Sequence, residues 1–277
     1  MTRLNEADIK NISDDLPDYD AALTTKTGCT LFQIACHTMG VAEKTVGRAL
    51  EKIRIGVIPI TAGLGRLPGF CQAVASIARH VGCQAFVSQQ PDVAGIVEAI
   101  ASKADIIIMA DEQRFVALNL NTRKIADNAV ATGRGFATAL HLMSGSSLCG
   151  RRALVLGCGP VGQNAVKALL EYECRVWVYD IDPQRSAAAL ETCEPGFKGF
   201  IHKTNDLEAA LHNHVYIVDA TPSGAFIQAR HIKADTMISA PGMPLGLDRA
   251  ARAAIGKRLI HDPLQIGVAT MLSMAVT

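Results

Sequence analysis

The sequence carries no cluster of lysines or arginines, and its formal net charge is only +1 over 277 residues. That excludes the electrostatic footprint of a nucleic-acid or anionic-membrane binder. No apolar run is long enough to cross a bilayer, and the opening Met1-Thr2-Arg3-Leu4-Asn5-Glu6-Ala7-Asp8 lacks the apolar core of a secretion signal. A cytoplasmic protein is therefore expected. No CxxC pair occurs among the 8 cysteines, which read as small buried hydrophobes rather than a disulfide framework. The 8 histidines are dispersed; His212 and His214, the one close pair, have no cysteine or carboxylate at ligand spacing. They read as surface residues ahead of a strand, and no metal site is expected. No internal repeat is visible.

What is present is an ordinary globular balance, 49% hydrophobic against 19% charged residues, in a chain long enough for two domains. The most informative stretch runs from Arg152 to Leu170. An apolar segment too short for a helix ends at Gly157, and Ala165, Val166, Leu169 and Leu170 then recur at helical spacing, the context a GxGxxG requires. Gly157 permits the tight turn, Gly159 admits a pyrophosphate, and Gly162 lets helix and strand lie close. The helix that opens at Pro160 and Val161 offers unpaired N–H groups and a partial positive charge to phosphate. About 20 residues beyond the glycines, a second apolar run ends at Asp180 and Ile181. A carboxylate there accepts both ribose hydroxyls and repels a 2′-phosphate, favouring NAD over NADP, although Arg185 lies nearby in sequence.

Read in order, the chain opens with helices. Asn5 or Thr2 caps a first one running through Ile9, Ile12 and Leu16 to Pro17; Leu31, Ile34 and Ala35 mark a second before Gly40, and Glu43 to Lys52 a third. A β-α-β-α-β unit follows: strand 53–60, helix 70–81, strand 84–87, helix 93–102 and strand 106–109. Its sheet is expected to be parallel, with ligands beyond the carboxyl ends of the strands, where Thr61, Ala62, Gly63 and Asp111 fall. Asp111 either aims its carboxylate into the cleft or caps the next helix. A helix from Ala131 to Met143 and a Ser144-Gly145-Ser146-Ser147 linker end the first domain. In the second, a helix covers Pro183 to Thr192, and strands 215–219 and 237–239 run into Thr221-Pro222 and Pro241-Gly242, facing the nicotinamide end. The stretch from Pro263 to Leu272 reads as a last, buried helix between the domains.

The fold class is thus α/β: helices and an α/β substrate domain over residues 1–148, a parallel-sheet Rossmann domain over 149–262, and a closing helix over 263–277.

Several stretches in the same order resemble the pyrrolysine biosynthesis dehydrogenase family PylD over almost the whole chain. They are Gly56 to Gly65, Pro91 to Gly95, Met109-Ala110-Asp111, Asn119 to Asn128, Gly157 to Gly162, Ala220-Thr221-Pro222, Pro241-Gly242 and Pro263 to Met271. The resemblance implies an NAD-dependent homodimer that oxidises the terminal amine of L-lysine carrying a 3-methyl-D-ornithyl group on its side-chain nitrogen. Ammonia is lost and the ornithine α-amine closes the ring of pyrrolysine. It also implies substrate contacts at Leu4, Thr61, Ala62, Asp111 and Asn128, with Asp111 positioning the ornithyl ammonium groups. Where the family pattern is Thr-Ser-Gly, this chain has Thr61-Ala62-Gly63, so either a water or Thr61 replaces that hydrogen bond or the substrate is oriented slightly differently. The alternatives are another NAD-linked amino- or imino-acid oxidoreductase, and an NAD-sensing regulatory protein.

Overall fold

A computed structural model of the chain describes residues 4–191 and 193–277. Asn5 caps the first helix, α1 (Glu6–Ile9), in a reciprocal capping box with Asp8; the alternative cap Thr2 lies outside the described residues. α2 (Ile12–Thr27) is a separate helix and runs through Pro17 instead of ending there. One proline forfeits one backbone hydrogen bond, and burial of Leu16 and Leu23 on the inner face outweighs it. α3 (Leu31–Met39) ends at Gly40 in the left-handed conformation, and α4 (Glu43–Leu50) completes the helical lead.

The first sheet comprises β1 (Arg54–Val57), β2 (Gln84–Val87), β3 (Ile106–Ala110), β4 (Phe115–Asn119) and β5 (Ile125–Asp127), with α5 (Phe70–His80) and α6 (Asp92–Ala101) as crossovers. Its order is β2-β1-β3-β4-β5. β1, β2 and β3 are parallel, as expected of the β-α-β-α-β unit, but β4 and β5 extend the sheet antiparallel, so the sheet as a whole is corrected to a mixed one. The four residues between β3 and β4 are too few for a parallel crossover and make a hairpin instead. Along β4 burial alternates, Phe115, Ala117 and Asn119 facing inward.

α7 (Asn128–Met143) follows β5 without a break and carries the chain into the second sheet. That sheet comprises β6 (Arg152–Leu156), β7 (Arg175–Tyr179), β8 (Ile201–Lys203), β9 (Tyr216–Asp219), β10 (Met237–Ala240) and β11 (Leu259–His261). All neighbours are parallel, in the order β11-β10-β9-β6-β7-β8. This is the doubly wound arrangement, with its order reversing at β6 and β9. Its helices are α8 (Pro160–Glu171), α9 (Pro183–Glu191), α10 (Leu207–Asn213) and α11 (Arg249–Ile255). Thr192, the expected last residue of α9, lies outside the described residues. α12 (Gln265–Val276) is apolar on all sides and buried along nearly its whole length, against α7 and α3.

Two surface readings change. His214 is buried, its Nδ1 2.8 Å from the Ala210 carbonyl and its ring against Trp177; the strand it precedes is an interior one. Cys149 is exposed, whereas Cys36, Cys71, Cys83, Cys158, Cys174 and Cys193 are buried. Among the described residues no helix is long and apolar enough to cross a membrane.

Candidate active site

The Gly157 to Gly162 turn joins β6 to α8 at the reversal point of the second sheet. Gly157 has φ +85°, where a side chain is strained, and a Cβ on Gly162 would lie 1.8 Å from the Gly157 carbonyl oxygen. Both positions demand glycine for backbone reasons. Gly159 caps α8, Pro160 begins it, and nothing lies within 4 Å of a Cβ built on Gly159. That open approach to a helix N-terminus is what a diphosphate needs. Cys158 sits inward between the glycines, its thiol pushed up to about 12 by burial and then by the Asp180 charge, so it stays a neutral thiol.

Asp180 closes the end of β7. Its Oδ2 accepts from the Cys158 amide at 2.7 Å and its Oδ1 from the Asp182 amide at 2.9 Å. Each carboxylate oxygen has a second lone pair, so ribose hydroxyls can join without displacing the backbone. Ile181, next to it, is 90% exposed, an apolar surface for an adenine ring to cover. Arg185 is paired with Asp182 at 3.6 Å.

Across the sheet, Asp219 ends β9. It is fully buried; its Oδ1 accepts from the Thr221 amide (3.1 Å) and hydroxyl (2.7 Å), while its Oδ2 packs against the Gly246 backbone. Burial pushes its carboxyl up to about 6, against the pull of the Thr221 hydrogen bonds. A Cβ on Gly246 would strike Asp219 Oδ2 at 2.1 Å, and one on Gly242 the Thr221 carbonyl at 2.2 Å. The loops carrying Thr221-Pro222 and Pro241-Gly242 are thereby locked together.

These elements form one wall of a cavity of about 440 Å³, within the range of small-molecule sites. Gly157, Gly159, Pro160, Val161, Asp180, Thr221, Pro222, Pro241 and Gly242 all line it. Leu4 and Asn128 line it too. Asn128, the first residue of α7, holds a buried Oδ1 with no partner among the described residues. Leu64, Gln113, Arg114, Phe115, Asp127 and Leu264 also line it, and none was expected. Gly162, Ile181, Thr61, Ala62 and Asp111 are not on the lining.

Asp111 heads the β3–β4 turn, its Oδ1 accepting from the amides of Gln113 and Arg114, both at 2.7 Å. It therefore organises a hairpin, and the alternative of a cap on a following helix falls with the antiparallel β4. The Arg114 and Gln113 amides hold its carboxyl below the usual carboxylate range. Gly63 packs on this turn, a Cβ there falling 2.2 Å from the Glu112 nitrogen. Asp111 thus stands at the rim, flanked through Gly63 by Leu64 and along the chain by Gln113, both of which reach the cavity. Thr61 is turned to Asp92, donating from its amide (2.9 Å) and hydroxyl (2.6 Å).

Residues 8–126 match the family described as pyrrolysine biosynthesis protein PylD, N-terminal domain. The chain is 30% identical over 273 residues to proteins named pyrrolysine synthase from Methanosarcina acetivorans and Methanosarcina barkeri. The alignments cover 98% of this chain and 98% and 97% of those proteins, respectively. Among solved structures it is similar to quinate dehydrogenase from Corynebacterium glutamicum in complex with NAD (TM-score 0.55, 15% identity, 80% of this chain and 93% of that one). It is also similar to shikimate 5-dehydrogenase from Thermus thermophilus (TM-score 0.51, 19% identity, 79% and 91%). At those identities the structural likeness establishes the fold.

Proposed function

The chain belongs to the family of the pyrrolysine biosynthesis protein PylD, and from that premise we propose that it is an NAD-dependent pyrrolysine synthase. It oxidises the terminal amine of L-lysine-Nε-3-methyl-D-ornithine, releases ammonia, and yields the pyrroline ring. The observation that carries this reading is a single cavity lined both by the dinucleotide turn with Asp180 and by Leu4 and Asn128. NAD⁺, when held at Gly157 to Gly162 and Asp180, supplies the hydride acceptor; the loops at Thr221-Pro222 and Pro241-Gly242 flank its reactive end.

Asp111 holds the ornithyl ammonium groups from the rim with its Oδ2, since Oδ1 is committed to the turn. Because the turn amides keep its carboxyl ionised, it is a weak base, suited to charge and positioning rather than proton removal. The amine that is oxidised must be neutral, and solvent takes its proton. Hydrolysis of the oxidised carbon to the aldehyde needs one water, and ring closure returns it. The tethered amine closes with the high effective molarity of an intramolecular reaction. The Thr61 hydroxyl donates to Asp92 and can still accept from a water, which in this proposal supplies the contact that Ala62 lacks.

The enzyme is a cytoplasmic homodimer in this proposal. Val93, Val97 and Ile100, 73%, 63% and 56% exposed, share one face of α6 at i, i+4 and i+7, an apolar stripe that a second copy would cover.

The test is NADH formation at 340 nm from NAD⁺ and L-lysine-Nε-3-methyl-D-ornithine, with mass spectrometry of the product, in the parent and in Asp111→Asn. Pyrrolysine from the parent and a collapse in the variant support both reaction and site. A folded, NAD-binding protein that forms no NADH would sink the assignment.

A further inference from the structure

Arg114 and Asp127 face each other inside the cavity, Nη2 to Oδ2 at 3.4 Å, with side chains 67% and 27% exposed. They are 13 residues apart in sequence and meet because β4 and β5 pair antiparallel, Val116 opposite Asp127. The other Asp127 oxygen, Oδ1, accepts from the Ala129 amide at 2.8 Å and caps α7, which fixes the carboxylate on the wall. A single long contact at a solvent-open site contributes little to stability. It leaves most of the five guanidinium donors free.

Only two cations, Arg114 and Arg185, line the cavity among the described residues. Arg185 is at the dinucleotide turn, paired to Asp182. Only two carboxylates line it, Asp127 and Asp180, and Asp180 is bound to the same turn through Cys158. Arg114 and Asp127 are therefore the charged pair of the lining that the dinucleotide turn does not engage.

We propose that Arg114 and Asp127 form a clamp for an α-amino-acid zwitterion: the guanidinium takes the α-carboxylate in a two-pronged contact, and the Asp127 Oδ2 so released takes the α-ammonium. One weak internal ion pair is exchanged for two charge-assisted ones, and the charges of clamp and ligand cancel. The inference rests on the reaction proposed above for the identity of the zwitterion. The substrate has one free carboxylate, on its lysine end, so the clamp grips that end and leaves the ornithyl amines to Asp111.

Calorimetric titration of the protein saturated with NADH, where no turnover occurs, tests this with L-lysine-Nε-3-methyl-D-ornithine and its lysine α-carboxamide. The parent should bind the acid roughly tenfold to a hundredfold more tightly than the amide, the range of one charge-assisted contact. Arg114→Met should bind the acid as weakly as the parent binds the amide, and should no longer distinguish the two. Asp127→Asn keeps a helix-capping side chain and should weaken both ligands alike. A parent that binds acid and amide equally, an Arg114→Met that still discriminates as the parent does, or a parent that binds neither, would overturn the clamp. Turnover of the acid with NAD⁺ is scored separately. Acid-over-amide discrimination without NADH formation would overturn the reaction and support the clamp.

Discussion

Asp262 joins the end of β11 to the first turn of α12 and is 3% exposed. Its Oδ2 accepts from the Tyr19 hydroxyl at 2.5 Å, and its Oδ1 from the Ile266 amide at 3.3 Å. Burial pushes its carboxyl up from 3.8 to about 6, against the pull of those hydrogen bonds. Burial and the Asp262 charge push the Tyr19 hydroxyl well above its ordinary range, so it remains the donor. A carboxyl whose folded value exceeds its unfolded one contributes stability that is fully present below about pH 4 and lost as pH rises through 6. With values of 3.8 and about 6 the loss is about 1 kcal/mol between pH 5 and 8, and about 2 kcal/mol between pH 4 and 8. Asp262→Asn removes that dependence while keeping an oxygen for one of the two donors. Losing the other acceptor costs about 1 kcal/mol, nearly the same at every pH. In urea titrations the stability difference between the two proteins should therefore move in the variant's favour by about 1 kcal/mol from pH 5 to pH 8. Every other carboxylate cancels in the difference between the two proteins, Asp219 included. A stability difference that does not change between pH 5 and 8, or that changes in the parent's favour, would refute the reasoning.

Gly133→Ala should be costly, because a Cβ on this α7 residue lands 2.3 Å from the Val161 carbonyl in the first turn of α8. Overpacking of about 1–3 kcal/mol is expected, with a lower melting temperature and a higher Kd for NAD, measured by calorimetry. Asp180→Ala should raise the KM for NAD about tenfold or more, as befits the loss of a charged hydrogen-bond partner. It should leave the KM for NADP far less changed, narrowing the preference seen in steady-state rates with the two cofactors. The rate of NADH formation should climb from pH 7 to pH 9.5 as the substrate amine loses its proton, Asp111 staying ionised throughout; a flat profile would show that deprotonation is not required.

What was legible in the sequence tracks what the backbone itself demands. Gly157, Gly162 and Asp180 were readable because a turn, a close helix and a strand-end carboxylate tolerate few substitutes. The hairpin after β3 was not. Phe115 to Leu120 is apolar enough to pass for part of a buried run, and the alternation of inward Phe115 and Ala117 with outward Val116 and Leu118 is too short to stand out. Missing it hid Arg114 and Asp127, whose meeting depends on register rather than spacing. It also cast Asp111 as a possible helix cap when its carboxylate closes a turn. Pro17 marked a helix end by local rule, and the burial around it overrode that rule.

The placement of the cavity follows from α7. Its first residues, Asn128 and Ala129, line the site directly after β5, and its middle carries Gly133 against α8 and Gly135 against Ile266 of α12. Arg134 then pairs with Glu171 through two contacts of 2.8 and 2.6 Å, and the Phe136 carbonyl accepts from Ser239 of β10. A helix held at glycine distance against α8 and α12 and by hydrogen bonds to α8 and β10 cannot slide without breaking several of these at once. The Gly157–Gly162 turn at the head of α8 and the Arg114–Asp127 pair at the end of β5 are thus spaced by a single rigid element. Substitutions at Gly133 and Gly135 should consequently alter cofactor and substrate affinity together, although neither residue touches either ligand's cavity.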